Sequence, residues 1–239
     1  MTHGDHREIP LRGTRLTVAD EVQCTPDLAG ADTFGPMDWS IFHLINAAVA
    51  TRDWLEDPVS LLSGDAVMLY GAAIVALWFL ARPYGATKWK LASASGLVAA
   101  AVAMMTNQVI SHLWERPRPF TAHAAATHLL SAPSPDPSFP SDHAAVAFAI
   151  AFAVLAYSRR GGYLFLAAAT VIALTRIALG MHYPSDVLAG AVVGWASAVL
   201  VTTVGRPWMR RLVDQLSRIS DPLLKPVWDR LPGRRPSPN

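Results

Sequence analysis

The sequence predicts an all-α, polytopic membrane helix bundle with about five transmembrane helices and interfacial helices ahead of them. Three observations carry this. Of 239 residues, 52% are hydrophobic and only 16% charged, against about a quarter charged in an ordinary soluble domain. Mean hydropathy is positive, +0.28. The charges collect at the two ends and in a few short connections, which separate long apolar runs. Lys+Arg number 20 against 18 Asp+Glu, and this net +2 gives no reason to expect a nucleic acid or an acidic partner. A lone cysteine, Cys24, excludes an internal disulfide framework and a cysteine-based metal site, and reads as an inert thiol.

The elements follow in order. Residues 1–36 form a polar tail, and its start lacks the apolar run of a signal peptide. Asp38–Leu62 reads as one or two short helices lying in the interface. Its apolar stretch is too short to cross a bilayer, charges follow at once, and Trp39 and Trp54 suit headgroup level. Five longer runs come next: Ala66–Ala81, Trp89 to about Trp114, about Ala144–Tyr157, Tyr163 to about Leu179, and about Val187–Val204. The third is short for a span. Gly190 and Gly194, and the Ala/Ser-rich start of the second run, mark close helix contacts. Residues 37–205 thus make the membrane domain. Residues 206–239 form a basic, Pro/Arg-containing tail, read as a disordered end in preference to a segment on anionic lipid.

Loop charge orients the spans. With five of them, the connections carrying Arg82, Lys88 and Lys90, then Arg159 and Arg160, share a side with the arginine-rich tail. The positive-inside rule makes that side cytoplasmic. Glu115–Asp142 and His182–Ser185 then face outward. A sixth, weakly hydrophobic span over Asp38–Leu62 is the alternative, and it moves the N-terminal tail inside.

Three polar clusters fall at the outer ends of the spans: Glu115-Arg116-Pro117-Arg118-Pro119-Phe120, Pro140-Ser141-Asp142-His143, and Thr175-Arg176 with His182 and Asp186. Ionisable groups at membrane depth are costly and by default suggest function. Several guanidiniums without an equal set of acids make an anion site, and the planar fork of arginine suits phosphate. Ser141 is placed to cap the third span, whose free amides can hold phosphate oxygens. His182 sits on a tight connection between Gly180 and Pro184. Asp186 can orient it and leave one ring nitrogen as a nucleophile. His143 then protonates the leaving oxygen and later activates water, while Arg118 and Arg176 neutralise the equatorial oxygens. Neither a metal nor another cofactor is required. A metal site on the His/Asp set is the weaker alternative, because the arginines would repel the ion.

These residues in this order resemble the type 2 phosphatidic acid phosphatase superfamily. Its pattern is Lys-x6-Arg-Pro, then Pro-Ser-Gly-His, then Ser-Arg-x5-His-x3-Asp. Here Arg118-Pro119, Pro140-Ser141-Asp142-His143 and Thr175-Arg176-x5-His182-x3-Asp186 stand in those places. NQVISHLWERPRPF, SFPSDHAAV and TRIALGMHYPSD are similar to the bacitracin-resistance type of undecaprenyl-diphosphate phosphatase. The resemblance implies removal of the terminal phosphate of that lipid at the outer face of the cytoplasmic membrane. It also implies His182 as nucleophile, His143 as acid/base and Asp186 as the residue orienting His182. Two departures stand out. Ser111 occupies the place of the motif's Lys, and Arg116 is expected to supply the missing cation. Asp142 replaces Gly, so its carboxylate must point away, pair with an arginine or be protonated. Glu115 is assigned to pair with Arg116, in preference to touching substrate. The expected partners are a lipid diphosphate or lipid phosphate and the membrane, with oligomeric state open. Phosphatidylglycerol phosphate, phosphatidate and other lipid phosphates remain alternative substrates. A non-catalytic membrane relative is the alternative of another class.

Overall fold

The structure is a computed structural model, and it describes residues 34–230 except Arg82 and residues 84–86; the side chains of Asp53 and residues 61–65 are also outside the description. The expectations for residues 1–33, Cys24 included, and for Arg82 and residues 231–239 lie outside the described residues.

Among the described residues there are eight α-helices and no strand. Helix α1 (Pro36–Ala50) opens on Pro36, whose missing N–H is no loss in a first turn. The short helix expected here also packs on the bundle. Phe42 is fully buried against Ala173, Ile177, Tyr183 and Val187. Helix α2 (Asp53–Leu80) runs unbroken through what the sequence divides into a second interfacial helix and the first span. Pro58 lies only in its second turn, so a single early backbone bond is lost and the helix continues.

Helices α3 (Thr87–Leu113), α6 (Arg159–Ala178) and α7 (Pro184–Thr202) are long and apolar enough to cross a membrane. The apolar part of α2, Ala66–Leu80, and α5 (Asp142–Tyr157) are shorter. Helix α5 is the central element, with α3, α6 and α7 packed around it. Ala144, Ala145, Ala147, Ala149, Ala151, Ala153 and Val154 are wholly buried. A helix enclosed by protein does not have to match the bilayer thickness, which is why a 16-residue helix suffices here.

Small residues set the spacing. A Cβ on Gly190 would come within 2.5 Å of the Ser141 carbonyl oxygen, and one on Gly194 within 2.5 Å of that of Ala145. Helix α7 therefore rests directly on the backbone of α5, the close approach that small residues permit in lipid. Two hydroxyls inside the bundle find backbone acceptors, which a polar group away from water needs. Ser93 Oγ donates to the Ile74 carbonyl at 2.8 Å, and Tyr70 Oη lies 2.9 Å from the Phe165 carbonyl.

Helices α3 and α6 finish, and α1, α5 and α7 begin, at one end of the bundle. Between α3 and α5 the chain makes a long connection containing helix α4 (Pro119–Ala122) and a 3-10 turn, Ala124–Ala126. Asn46, fully buried in α1, fastens it. Its Nδ2 donates to the carbonyls of His128 at 2.7 Å and Ala178 at 2.8 Å, and its Oδ1 accepts from the His128 N–H at 2.8 Å.

The C-terminal segment is also corrected. Arg206–Asp229 is not a disordered tail but helix α8. Met209 and Val213 pack with Leu91, Ala94 and Val201. Lys90 of α3 forms a buried ion pair with Asp221. Trp78 Nε1, near the end of α2, donates to Ser220 Oγ at 3.3 Å. Helix α8 thus lies over the end opposite the first.

Candidate active site

At the first end lies a cavity of about 470 Å3, lined by His143, His182, Arg118, Arg176, Asp142 and Ser111 among others. Residues far apart in sequence meet here because two helices end and three begin around one connection. Ser141, Asp186 and Arg116 stand behind the wall, each buried.

His182 is held on the turn between α6 and α7. Gly180 takes φ +81°, and a Cβ there would sit 2.6 Å from the His128 carbonyl oxygen. The N–H groups of Met181 and His182 both donate to the Arg176 carbonyl, at 3.2 and 3.3 Å. His182 is 3% exposed. Its Nδ1 lies 2.8 Å from the Ser138 carbonyl oxygen. A carbonyl only accepts, so Nδ1 carries the hydrogen and Nε2 of the neutral ring keeps its lone pair. Arg118 Nη1 is 3.3 Å from that Nε2. Burial holds the His182 pKa below the ordinary imidazole value; Asp186 opposes this, and Arg118 and Arg176 add to it. The ring is neutral near pH 7.

Arg118 is itself positioned by the backbone. Its Nε donates to the Asp136 carbonyl at 2.7 Å and its Nη1 to that of Met181 at 3.2 Å. Asp186 is fully buried in the first turn of α7. Its carboxylate accepts from Arg116 Nη1 at 2.6 Å, Ser138 Oγ at 2.5 Å and the Tyr183 N–H at 2.8 Å. The His182 Nδ1 is 3.8 Å from it. Ser138 therefore stands between the carboxylate and the imidazole: its carbonyl accepts from the ring N–H and its hydroxyl donates to the carboxylate.

Arg116 differs from the expectation of a phosphate-binding cation. Its Nη2 lies 2.7 Å from Asp38 and its Nη1 2.6 Å from Asp186. Its guanidinium covers the Tyr183 ring at 3.9 Å. Two buried carboxylates need a cation between them, and the flat fork of arginine serves both. Glu115, expected to pair with Arg116, instead lines the cavity. Asp142 meets two side-chain amides. It accepts from the α3 amides, Asn107 Nδ2 at 2.8 Å and Gln108 Nε2 at 3.4 Å. Ser111 Oγ donates to the Phe139 carbonyl at 3.2 Å. Ser141 takes the cap position of α5 without capping through its side chain. Its hydroxyl is buried and has no partner among the described residues.

Sequence reasoning missed Asp38, Ser138 and Ser185. Asp38 Oδ1 accepts from the Ser185 N–H at 2.9 Å and its Oδ2 from the Ser185 hydroxyl at 2.5 Å. An acid at the head of an apolar run was the available signal for Asp38. Ser138 lies two residues ahead of Pro140, but nothing in a serine announces that its carbonyl will meet a histidine. Among the described residues no three His, Cys, Asp or Glu side chains converge as a metal-ligand set.

The arrangement presents one imidazole nitrogen with a lone pair, a second imidazole, two guanidiniums and the first-turn amides of α5. Such a set can attack, and hold the oxygens of, a tetrahedral anion. Residues 92–210 match the family model described as the PAP2 superfamily. Undecaprenyl-diphosphatase BcrC of Bacillus subtilis (strain 168) is 29% identical over 157 residues, covering 66% of this chain and 78% of that protein. A protein of Bacillus licheniformis named bacitracin transport permease protein BcrC is 30% identical over 169 residues, covering 71% of this chain and 81% of its own. The crystal structure of Aquifex aeolicus LpxE has the same fold, with a TM-score of 0.53 at 23% identity over 69% of this chain and 93% of that one.

Proposed function

We propose that this chain, which belongs to the PAP2 superfamily, removes the terminal phosphate of undecaprenyl diphosphate through a phosphohistidine on His182. It is a membrane-embedded phosphatase of lipid phosphates. The name of the Bacillus subtilis relative, undecaprenyl-diphosphatase, favours the undecaprenyl carrier as its substrate. In this reading the reaction recycles that carrier for cell-wall synthesis, at the outer face of the cytoplasmic membrane.

One observation carries the mechanism. The Nδ1–H of His182 is committed to the Ser138 carbonyl, and Nε2 lies beside Arg118 in the cavity wall. Nε2 attacks phosphorus, and the bond from phosphorus to the bridging oxygen breaks. His143, in the first turn of α5, gives its proton to that oxygen, so the lipid leaves as its monophosphate. His143 then takes a proton from water, which attacks the phosphohistidine and releases inorganic phosphate. Arg118, Arg176 and the α5 amides hold the equatorial oxygens, where such preorganised donors count most. Asp186 acts on His182 through Ser138, and also stabilises the positive ring that forms during attack.

The test is phosphate release by purified protein in detergent with EDTA, comparing undecaprenyl diphosphate, farnesyl diphosphate, phosphatidate and phosphatidylglycerol phosphate. Preference for the undecaprenyl lipid, persistence in EDTA and loss in His182→Ala are expected. Preference for either glycerolipid would reassign the substrate, and unchanged release by His182→Ala would remove the mechanism.

A further inference from the structure

Helix α8 has three faces. One packs on the bundle through Met209, Val213 and Asp221, all buried. A second is apolar and exposed. Trp208, Leu216, Ile219, Leu223 and Val227 are 66, 43, 68, 72 and 59% exposed, and spacings near three and four place them on one side of a helix. The third is charged and exposed, with Arg211, Asp214 and Arg218. Arg211 also lies over the Trp208 ring at 5.2 Å, at the border of the second and third faces.

An exposed apolar stripe beside cations has the form of an interfacial helix. Its position supports this. Exposed apolar residues run from the end of α7 to the stripe: Leu200 in α7 is 50% exposed, and Val204 in the turn before Trp208 is 71% exposed. The Lys90–Asp221 pair and the Trp78–Ser220 hydrogen bond hold α8 against the ends of α3 and α2. The helix therefore lies where spanning segments leave the bilayer, at the end away from the active site.

We propose that α8 docks on a membrane surface containing anionic lipid. The apolar stripe enters the boundary of headgroups and acyl chains, and Arg211 and Arg218 meet headgroup phosphates. Charge complementarity and continuity with the lipid-facing surface favour this occupant over a protein. Each cation near such a surface adds about fivefold to the preference, so the two together add on the order of 30-fold.

The test uses the full chain with Cys24→Ser, spin-labelled at Ile219→Cys or Asp214→Cys. The protein is held in nanodiscs of phosphatidylcholine with or without phosphatidylglycerol. With phosphatidylglycerol, the Ile219 label should be relaxed more by oxygen than by a water-soluble nickel chelate, and the Asp214 label the reverse. Arg211→Gln/Arg218→Gln should bring the Ile219 ratio down to its value in phosphatidylcholine alone, with phosphate release intact as proof of folding. Three results would overturn the proposal: nickel dominating at Ile219 in both lipids, a ratio indifferent to phosphatidylglycerol, or spin–spin broadening from a second copy on the stripe.

Discussion

Each end of the bundle buries a cation against aspartate, and the two arrangements differ in what they hold. At the active-site end Arg116 bridges Asp38 of α1 and Asp186 of α7, behind His182. At the other end Lys90 pairs with Asp221, donates to the Ser217 hydroxyl and fastens α8 to α3. A buried pair is weak evidence of stability, because desolvation offsets much of the attraction, yet removing one partner is costly. The lesson is that the same interaction is geometric support in one place and a clasp in the other. Arg116 orders a carboxylate that in turn orders, through Ser138, the imidazole proposed as the nucleophile. Lys90 orders nothing that touches substrate.

Variants can break or sharpen this contrast. The largest effect is expected from Arg116→Gln. It strands two carboxylates without their cation, at a cost of about 3–5 kcal/mol, and turnover should fall at least ~100-fold even in the fraction that folds. Phosphate release measured beside a thermal unfolding curve separates the two losses. Gly190→Val comes next. Its Cβ meets the Ser141 carbonyl oxygen, so α7 must move off α5 just where His143 and Asp186 are placed. A fall in kcat of about tenfold or more is expected, consistent with the sensitivity of reacting groups to small displacements.

The pH profile is a finer probe. Protonated His182 has no lone pair, and its pKa is lowered chiefly by burial. The acid limb of kcat/KM should therefore fall below pH ~6.5, the ordinary imidazole value. The smallest effect is expected at the far end. Lys90→Met/Asp221→Leu replaces both charges by apolar groups, which is often neutral or stabilising. Activity should stay within about threefold of the parent, with the acid limb unmoved. A large loss there would erase the contrast between the two ends.

The sequence made the apolar runs, the three clusters and the close contact at Gly190 and Gly194 legible, because each rests on local composition or spacing. It also placed His143, His182, Arg118 and Arg176 on one face, and the structure puts all four on one cavity. The partner of Arg116 was not legible. Asp38 lies 78 residues away, and only the packing of α1 brings it in. The continuity of α2 was hidden by charges at Asp53, Glu56 and Asp57, which read as a boundary although they occupy the first turns of one helix. The order in α8 was hidden by Pro222 and Pro226, which argue against a helix. The Lys90–Asp221 pair and the packing of Met209 and Val213 support it nonetheless.

The central claim concerns a covalent bond between His182 and phosphorus, and a rapid acid-free quench with lipid diphosphate labelled in its terminal phosphate addresses it directly. A base-stable, acid-labile label on the peptide bearing His182 is expected, absent in His182→Ala and accumulating in His143→Ala. Turnover that continues with no label on the protein at any quench time, or a label on another residue, would contradict it.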